Sequence, residues 1–435
     1  MVDEPTSGGQ RSVPSGEAQF EAQARAAGLV LPTRSKGDPW SAVVIVIALV
    51  VLAAGIGEVT GWVNLRAPTT ASGSYQTQTC EGYPVRADGT LATAIGPAFS
   101  AWLEGAGTNL SAAVGGCFSV AITPNAGDGY LSLSTSTGSE FAATYAPPTA
   151  QESGSLSSPV AVIPVTLCAV TVVYNLPGIA SGLNLTGAVL AGMYNGTITS
   201  WDSAPIASAN PGVDLAGLPA VAPLHLTGGA IATDVLTGYL AATDAAWSAS
   251  VGAGLTVDWP MGTGESSEAA LLNAVAATPG AVGYTEVFTT ASAGLGVADL
   301  ENAAGAFSAP STVDVWLAAE SLANSTAVVS GNWTGFSLAG ATQPASYPLS
   351  TLAYAGVYRD LGVAYSDSLS LGNATWLLTY LYWLTGQSAV APLPGAYAAE
   401  VVNVLNNETY NGVPIVTLDN EYGENGESGG ETGEF

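Results

Sequence analysis

The hydrophobic pattern divides the chain unevenly. Residues 1–40 are polar, with one short amphipathic stretch, "EAQFEAQARAAGL". Next comes "SAVVIVIALVVLAAGIG", Ser41–Gly57, apolar on every face and free of charge. Such a run is long enough to cross a bilayer, near the short limit. Residues 60–80 form a Thr/Ser/Gly/Gln linker. From about residue 85, short β-rich runs alternate with helical ones, which predicts an α/β fold. "TAIGPAFSAWLEGA" reads as a helix entry with Phe99, Trp102 and Leu103 on one face. "SPVAVIPVTLCAVTVVYNLPG" reads as two buried strands broken by proline. "LTGAVLAGMYNG" reads as a helix ending at glycine. "ATDVLTGYLAATDAAW" reads as a helix with Val235, Leu236, Tyr239 and Leu240 at helical spacing. "GESSEAALLNAVAATPGAVGYTE" reads as a helix capped by Ser266 or Ser267, then a turn and a strand. "ATWLLTYLYWLTG" is strongly apolar but too short for a span, so it belongs to a core. The tail 421–435 is acidic and Gly-rich, a composition that favours disorder over a calcium loop of regular ligand spacing.

Charge changes the picture. Four of the seven basic residues (Arg11, Arg25, Arg34, Lys36) precede the apolar run. Positive flanks stay cytoplasmic, so 1–40 is a cytoplasmic tail, 41–59 a single-pass anchor, and the rest is extracellular. A cleaved signal peptide, whose charged region is normally shorter, and a buried core helix are the rival readings. From residue 60 onward only Arg66, Arg86 and Arg359 face 28 acidic residues. The net charge of −27 excludes nucleic acid as a partner. Such a surface repels itself at neutral pH and relaxes as carboxylates protonate, which points to an acidic habitat. Seven Asn-x-Ser/Thr sequons, at Asn109, Asn184, Asn195, Asn324, Asn332, Asn373 and Asn407, fit a glycosylated surface protein. Cys80 and Cys117 could pair outside the cell, and Cys168 lies in an apolar run as a buried free thiol.

"GAVLAGMYNGTITSWDSAPIASANPGVDL", Gly187–Leu215, resembles the helix–turn segment of the phosphate-binding proteins that serve ABC importers. The resemblance continues through "LTGYL" to "PGAVGYTE", and covers roughly residues 85–415. "LATAIGPAFSAW" resembles the family's first ligand loop and helix. "VVYNLPG" at 172–178 and "PLSTLAYAGVYRD" at 348–360 fit its two lobe-crossing strands. The resemblance implies two α/β lobes of periplasmic-binding-protein type II, joined by a two-strand hinge, with ligand in the cleft. One lobe would span 81–163 plus 346–420, the other 164–345.

The resemblance also implies a ligand set, and here the chain departs. The family carries Arg-x-Asp-Gly-Ser-Gly-Thr before the helix. This chain has Leu226-Thr227-Gly228-Gly229-Ala230-Ile231-Ala232. The arginine position is Leu226, the aspartate Gly228, the serine Ala230 and the threonine Ala232. A second family aspartate falls on Tyr145, and a Gly-Ser-Ser loop on about Ala126-Gly127-Asp128. Only Thr93, next to Ala94 in the first loop, keeps a hydroxyl. The candidate ligand-binding positions are therefore Thr93, Ala94, Gly127, Asp128, Tyr145, Thr227, Ala230, Ile231 and Ala232. Hydrogen bonds to a charged group contribute about 1.5–3 kcal/mol each. Losing three donors and an arginine costs more than ~5 kcal/mol, over three decades of affinity. Tyr145, Thr227 and His225 can still hydrogen-bond a neutral or differently shaped solute. His225, the only histidine, is otherwise a half-buried polar residue beside a strand end. "GTGES" lacks the lysine of a phosphate loop, and Trp201-Asp202 reads as turn and packing. No nucleophile–base pair, metal-ligand cluster or cofactor motif is evident, so an enzyme is not expected. Two readings remain. The first is a membrane-anchored solute-binding protein that delivers a small anion or neutral solute to an ABC permease. The second is a surface structural protein that contacts other surface proteins and has lost the ligand.

Overall fold

The structure, a computed structural model, describes residues 85–92, 97–113, 118–125, 130, 133, 139–287, 294–364 and 371–415. The expected cytoplasmic tail 1–40, the expected 41–59 span, the linker 60–80, the 421–435 tail, Cys80 and Cys117 lie outside the described residues. So do Thr93, Ala94, Gly127 and Asp128.

Strands and helices alternate as the pattern predicts. The first part runs β1 (Val85–Ala92), α1 (Pro97–Ala113), β2 (Phe118–Asn125), β3 (Phe141–Thr144), α2 (Ala150–Ser155) and β4 (Val160–Tyr174). Then follow β5 (Leu183–Leu185), α3 (Gly187–Asn195), α4 (Ala204–Ala209), β6 (Ala222–Leu226), α5 (Ile231–Thr243), α6 (Ala245–Ser250) and β7 (Thr263–Glu265). Next are α7 (Glu268–Ala277), β8 (Ala281–Glu286), β9 (Gly296–Glu301), β10 (Phe307–Ser308), α8 (Thr312–Glu320) and α9 (Thr326–Ser330). The chain then returns through β11 (Ser350–Tyr358), α10 (Leu361–Ala364), α11 (Leu371–Thr385), α12 (Gly395–Asn406), β12 (Thr409–Tyr410) and β13 (Val413–Pro414).

The strand order is β2-β1-β3-β11-β4-β8-β6-β7, with β9 pairing β4, β5 and β10. β4 makes this a two-lobed molecule. Its residues Val160–Ala169 pair antiparallel with β11, and Val170–Tyr174 pair with β8. The expectation of two strands broken by proline is corrected here: the stretch is one continuous strand. The ladder slips between Ala353↔Thr166 and Tyr354↔Pro164, leaving Val165 as the extra residue of a bulge. A bulge removes the need for the amide that proline lacks, so Pro164 bends the strand without ending it. The second crossing is at 347–350, where the Val170 amide donates to the Leu349 carbonyl (2.9 Å) and the Tyr347 hydroxyl to the Val170 carbonyl (2.8 Å).

Two apolar cores flank this crossing. One gathers Phe99, Leu103, Phe141, Ile163, Val357 and Leu377. The other gathers Val172, Leu190, Trp201, Leu236, Leu271 and Tyr284. Each fully buried large side chain contributes roughly 1.5–3 kcal/mol. α11 is the apolar segment too short for a span, and it buries Leu377, Leu378, Tyr380, Leu381 and Leu384 in the first core. Among the described residues no helix is long and apolar enough to cross a membrane.

Local signals act as read in several places. α3 starts on Thr186, which accepts from the Val189 amide, and stops at Gly196 in the left-handed region. α7 is capped by Ser267 accepting from the Ala270 amide (3.2 Å). The expected single helix over "ATDVLTGYLAATDAAW" is instead α5 and α6. Asp244 closes the first, and its carboxylate accepts from the Trp247 amide (2.7 Å) to cap the second. Gly280 sits at φ +89°, and a Cβ there would lie 2.3 Å from the Ala220 carbonyl. Its own carbonyl accepts from Trp201 Nε1 (3.0 Å), so Trp201 has the packing role expected of it.

Candidate ligand cleft

The residues that the resemblance matches to the family's ligand loop, 226–232, lie where β6 feeds α5. The turn Gly228-Gly229 carries no side chain, and Ala230 occupies the N-cap without a side-chain acceptor. Its amide donates to the Leu255 carbonyl (3.0 Å). An uncapped helix start leaves amides able to attract an anion. Two features oppose that here. Asp234 lies in the first turn, and burial raises its carboxyl above the usual range. Ile231 occupies the mouth of the helix and is only 6% exposed. Ile231 and Val235 belong to a helix whose Leu236, Tyr239 and Leu240 pack in the second core. Yet Ile231 is a member of the first core, with Phe99 and Tyr145, and Val235 packs against both. The start of α5 thus brings an apolar side chain of one lobe's helix into the other lobe's core.

Tyr145 approaches from β3. Its ring packs 5.6 Å from that of Phe99, and its hydroxyl donates to Glu286 Oε2 (3.4 Å) at the end of β8. Tyr145 also lies beside Cys168 of β4. Burial pushes the Tyr145 hydroxyl up, and Cys168 and Glu286 add to it; burial likewise pushes the Cys168 thiol up. Glu286 is itself buried. Glu268, at the start of α7, accepts from the Thr285 hydroxyl (3.0 Å) and from the Glu286 amide (3.3 Å). Tyr284 fixes the β6 end: its hydroxyl accepts from the Leu226 amide (3.0 Å) and pairs with the Thr233 hydroxyl (2.8 Å). The lobe crossing therefore holds carboxylates, a phenol and a thiol. Arg359, the basic residue with a described side chain, stands elsewhere. Arg359 follows β11 and lies 3.6 Å from Glu408. Arg86 is the second residue of β1.

The sequence-based candidates separate into groups. Tyr145, Ile231 and Ala232 are buried, the first two in one core. Ala230 is half-buried. Thr227 is exposed and turned outward, donating to the Glu265 carbonyl (3.2 Å). With His225, Asp258 and Trp259 it lines a separate cavity of about 300 Å³. His225 stacks on Trp259 (5.0 Å between centroids, 16°) and meets the Leu226 carbonyl through Nδ1. Cys168 is the buried free thiol the sequence suggested. Glu268 and Glu286 were missed as cleft residues; the available signal was a charged residue closing the buried strand "AVGYTE". Of the sequons, Asn109, Asn324, Asn332 and Asn407 are exposed. Asn184 is tied down, donating to the Ala209 carbonyl (2.9 Å).

Comparison with known proteins places this geometry. The model of the PBP superfamily domain matches residues 104–388. The phosphate-binding protein PstS of Xylella fastidiosa is 34% identical over 149 residues, 34% of this chain and 41% of that protein. PstS of Methanocaldococcus jannaschii is 34% identical over 149 residues, covering 33% and 38%. The chain thus spans about two fifths of the length of these curated relatives. Among solved structures, a phosphate-binding protein of Stenotrophomonas maltophilia superposes with a TM-score of 0.50 at 18% identity, covering 76% of this chain and 97% of that one. A high-affinity periplasmic phosphate-binding protein, PfluDING, gives 0.51 at 16%, covering 74% and 99%. Those likenesses establish the fold, and with the domain match over most of the chain they lead to one assignment: this chain belongs to the PBP superfamily, and its curated relatives are phosphate-binding proteins.

Proposed function

We propose that this chain is an extracytoplasmic solute-binding protein, anchored by residues 41–59 with its N-terminus in the cytoplasm, that presents its ligand to an ABC permease. Its role is binding rather than catalysis. In this reading the lobes join along β4, where its partner changes from β11 to β8, and at 347–350. The ligand differs from the phosphate of its named relatives. The observation that carries this is Ile231, an apolar side chain buried between lobes where the family's pattern has a glycine flanked by two hydroxyl donors. The buried Glu286 beside Tyr145 adds to it. Among the described side chains, a phosphate brought there would meet carboxylates and no guanidinium, and desolvated like charges raise each other's cost. A neutral or hydrogen-bond-donating solute suits these acceptors. Solute binding is preferred to a purely structural surface role because the relatives are named as phosphate-binding proteins and the lobed fold is retained.

The test is a thermal-shift panel on the full chain in detergent. Phosphate, sulfate and arsenate form one arm, and neutral polyols, sugars and amides the other. Binding at 100 times Kd stabilises by ~2.7 kcal/mol, several degrees. Stabilisation by a neutral solute and not by the oxyanions is expected. Stabilisation by micromolar phosphate would overturn the altered-ligand reading.

A further inference from the structure

The C-terminal end of the described chain carries a buried charge problem. β11 ends at Tyr358, and Arg359-Asp360 follow. After α12 the chain folds back onto this pair. The Thr409 amide donates to the Arg359 carbonyl (2.9 Å). Asp360 accepts from the Thr409 hydroxyl (2.9 Å), the Asn411 amide (3.0 Å) and the Gly412 amide (2.7 Å). β12 and β13 form a two-residue ladder, and the Ile415 amide donates to the Glu408 carbonyl (3.1 Å). The turn sits directly on α10: a Cβ on Gly362 would lie 2.6 Å from the Asn411 amide nitrogen.

Glu408 is fully enclosed by this fold-back, and neither carboxyl oxygen has a hydrogen-bond partner. Arg359 Nη1 stands 3.6 Å away, beyond hydrogen-bonding distance, on a side chain half open to solvent. Asp360 is the other facing charge, and it is of like sign. α10 and α11 carry no charged side chain. The single acid of α12, Glu400, is engaged by Asn403 (3.3 Å). Tyr410 is the remaining titratable group of the hairpin. An ionised carboxylate so placed lacks the donors that make burial tolerable. A neutral carboxyl fits.

We propose that Glu408–Ile415 is an acid-locked clasp, which holds the segment after α12 over the end of β11 while the Glu408 carboxyl is neutral and loosens when it ionises. Burial pushes this carboxyl up to about 8, Arg359 opposes the shift, and Asp360 adds to it. A folded-state value above the unfolded one means stability that is complete below the ordinary carboxylate range and lost as pH rises toward about 8. The clasp does not depend on what occupies the cleft.

Hydrogen exchange of the full chain, followed on peptides over 408–415 and corrected for intrinsic exchange rates, tests this. Opening of the segment is expected to increase about tenfold per pH unit between pH 5 and 8. Glu408→Gln is expected to abolish that slope and to keep the segment protected at pH 9. Glu408→Met, apolar and of similar length, should also be flat with pH. A wild-type segment whose protection is unchanged from pH 5 to 9 would overturn the proposal, as would a Glu408→Gln chain that keeps the wild-type slope. The wild-type profile alone decides the matter if neither variant folds.

Discussion

Replacing Ile231 by alanine measures the plug between the lobes. The side chain is 94% removed from solvent, taking its 6% exposure from the whole. Three of its four carbons are lost, and each buried methylene-sized group contributes about 0.8 kcal/mol. That sums to ~2.4 kcal/mol, and the residual cavity raises it into the 2–5 kcal/mol range of large-to-alanine changes. Ile231 sits on α5 of one lobe while packing in the core of the other. The loss therefore falls on closure as well as on folding. Two readouts separate these. Denaturant unfolding should report at least ~2 kcal/mol of destabilisation. Small-angle scattering of the ligand-free chain should show a larger radius of gyration for the variant. A variant within ~0.5 kcal/mol of wild type, with an unchanged scattering curve, would refute the plug.

Gly280→Ala forces a Cβ to within 2.3 Å of the Ala220 carbonyl at φ +89°; a loss of about 1–3 kcal/mol in chemical denaturation is expected, and a neutral result would show that this turn relaxes freely. Ser267→Ala removes the cap of α7 and should cost about 1 kcal/mol in the same assay. Burial raises the carboxyls of Asp234, Asp299, Asp314 and Glu320, as well as Glu408. Each raised group favours the fold on the acid side and loses that contribution as pH increases, so the melting temperature should be higher near pH 5 than near pH 8; a maximum at or above pH 7 would contradict this.

Much of the architecture was legible because it rests on short-range chemistry. Thr186 and Gly196 bound α3 as their residue types dictate, and Ser267 caps α7. The 15-residue α11 is core because a span needs more length. The error at Pro164 has a physical reason: proline forbids a ladder amide, but whether a bulge relieves that depends on the partner strand, which lies almost 200 residues away (Tyr354 against Pro164). The break between α5 and α6 was missed because Asp244 can serve as interior residue or as cap, and only its bond to the Trp247 amide decides. In the cleft, the apolar residues at 230–232 were readable directly. The burial of Ile231 in the opposite lobe's core was not, since it depends on how the lobes meet. For the same reason, Thr227 looked like a partner of Tyr145, whereas it turns toward Glu265 and His225.

The central claim is that the gap between the lobes no longer grips an oxyanion, and calorimetric titration of the full chain with inorganic phosphate tests it most directly. Run at about pH 5 and pH 7, the account predicts no saturable heat below the millimolar range, three decades or more weaker than a site with its donors and arginine intact. A Kd in the micromolar range or tighter at either pH would contradict it.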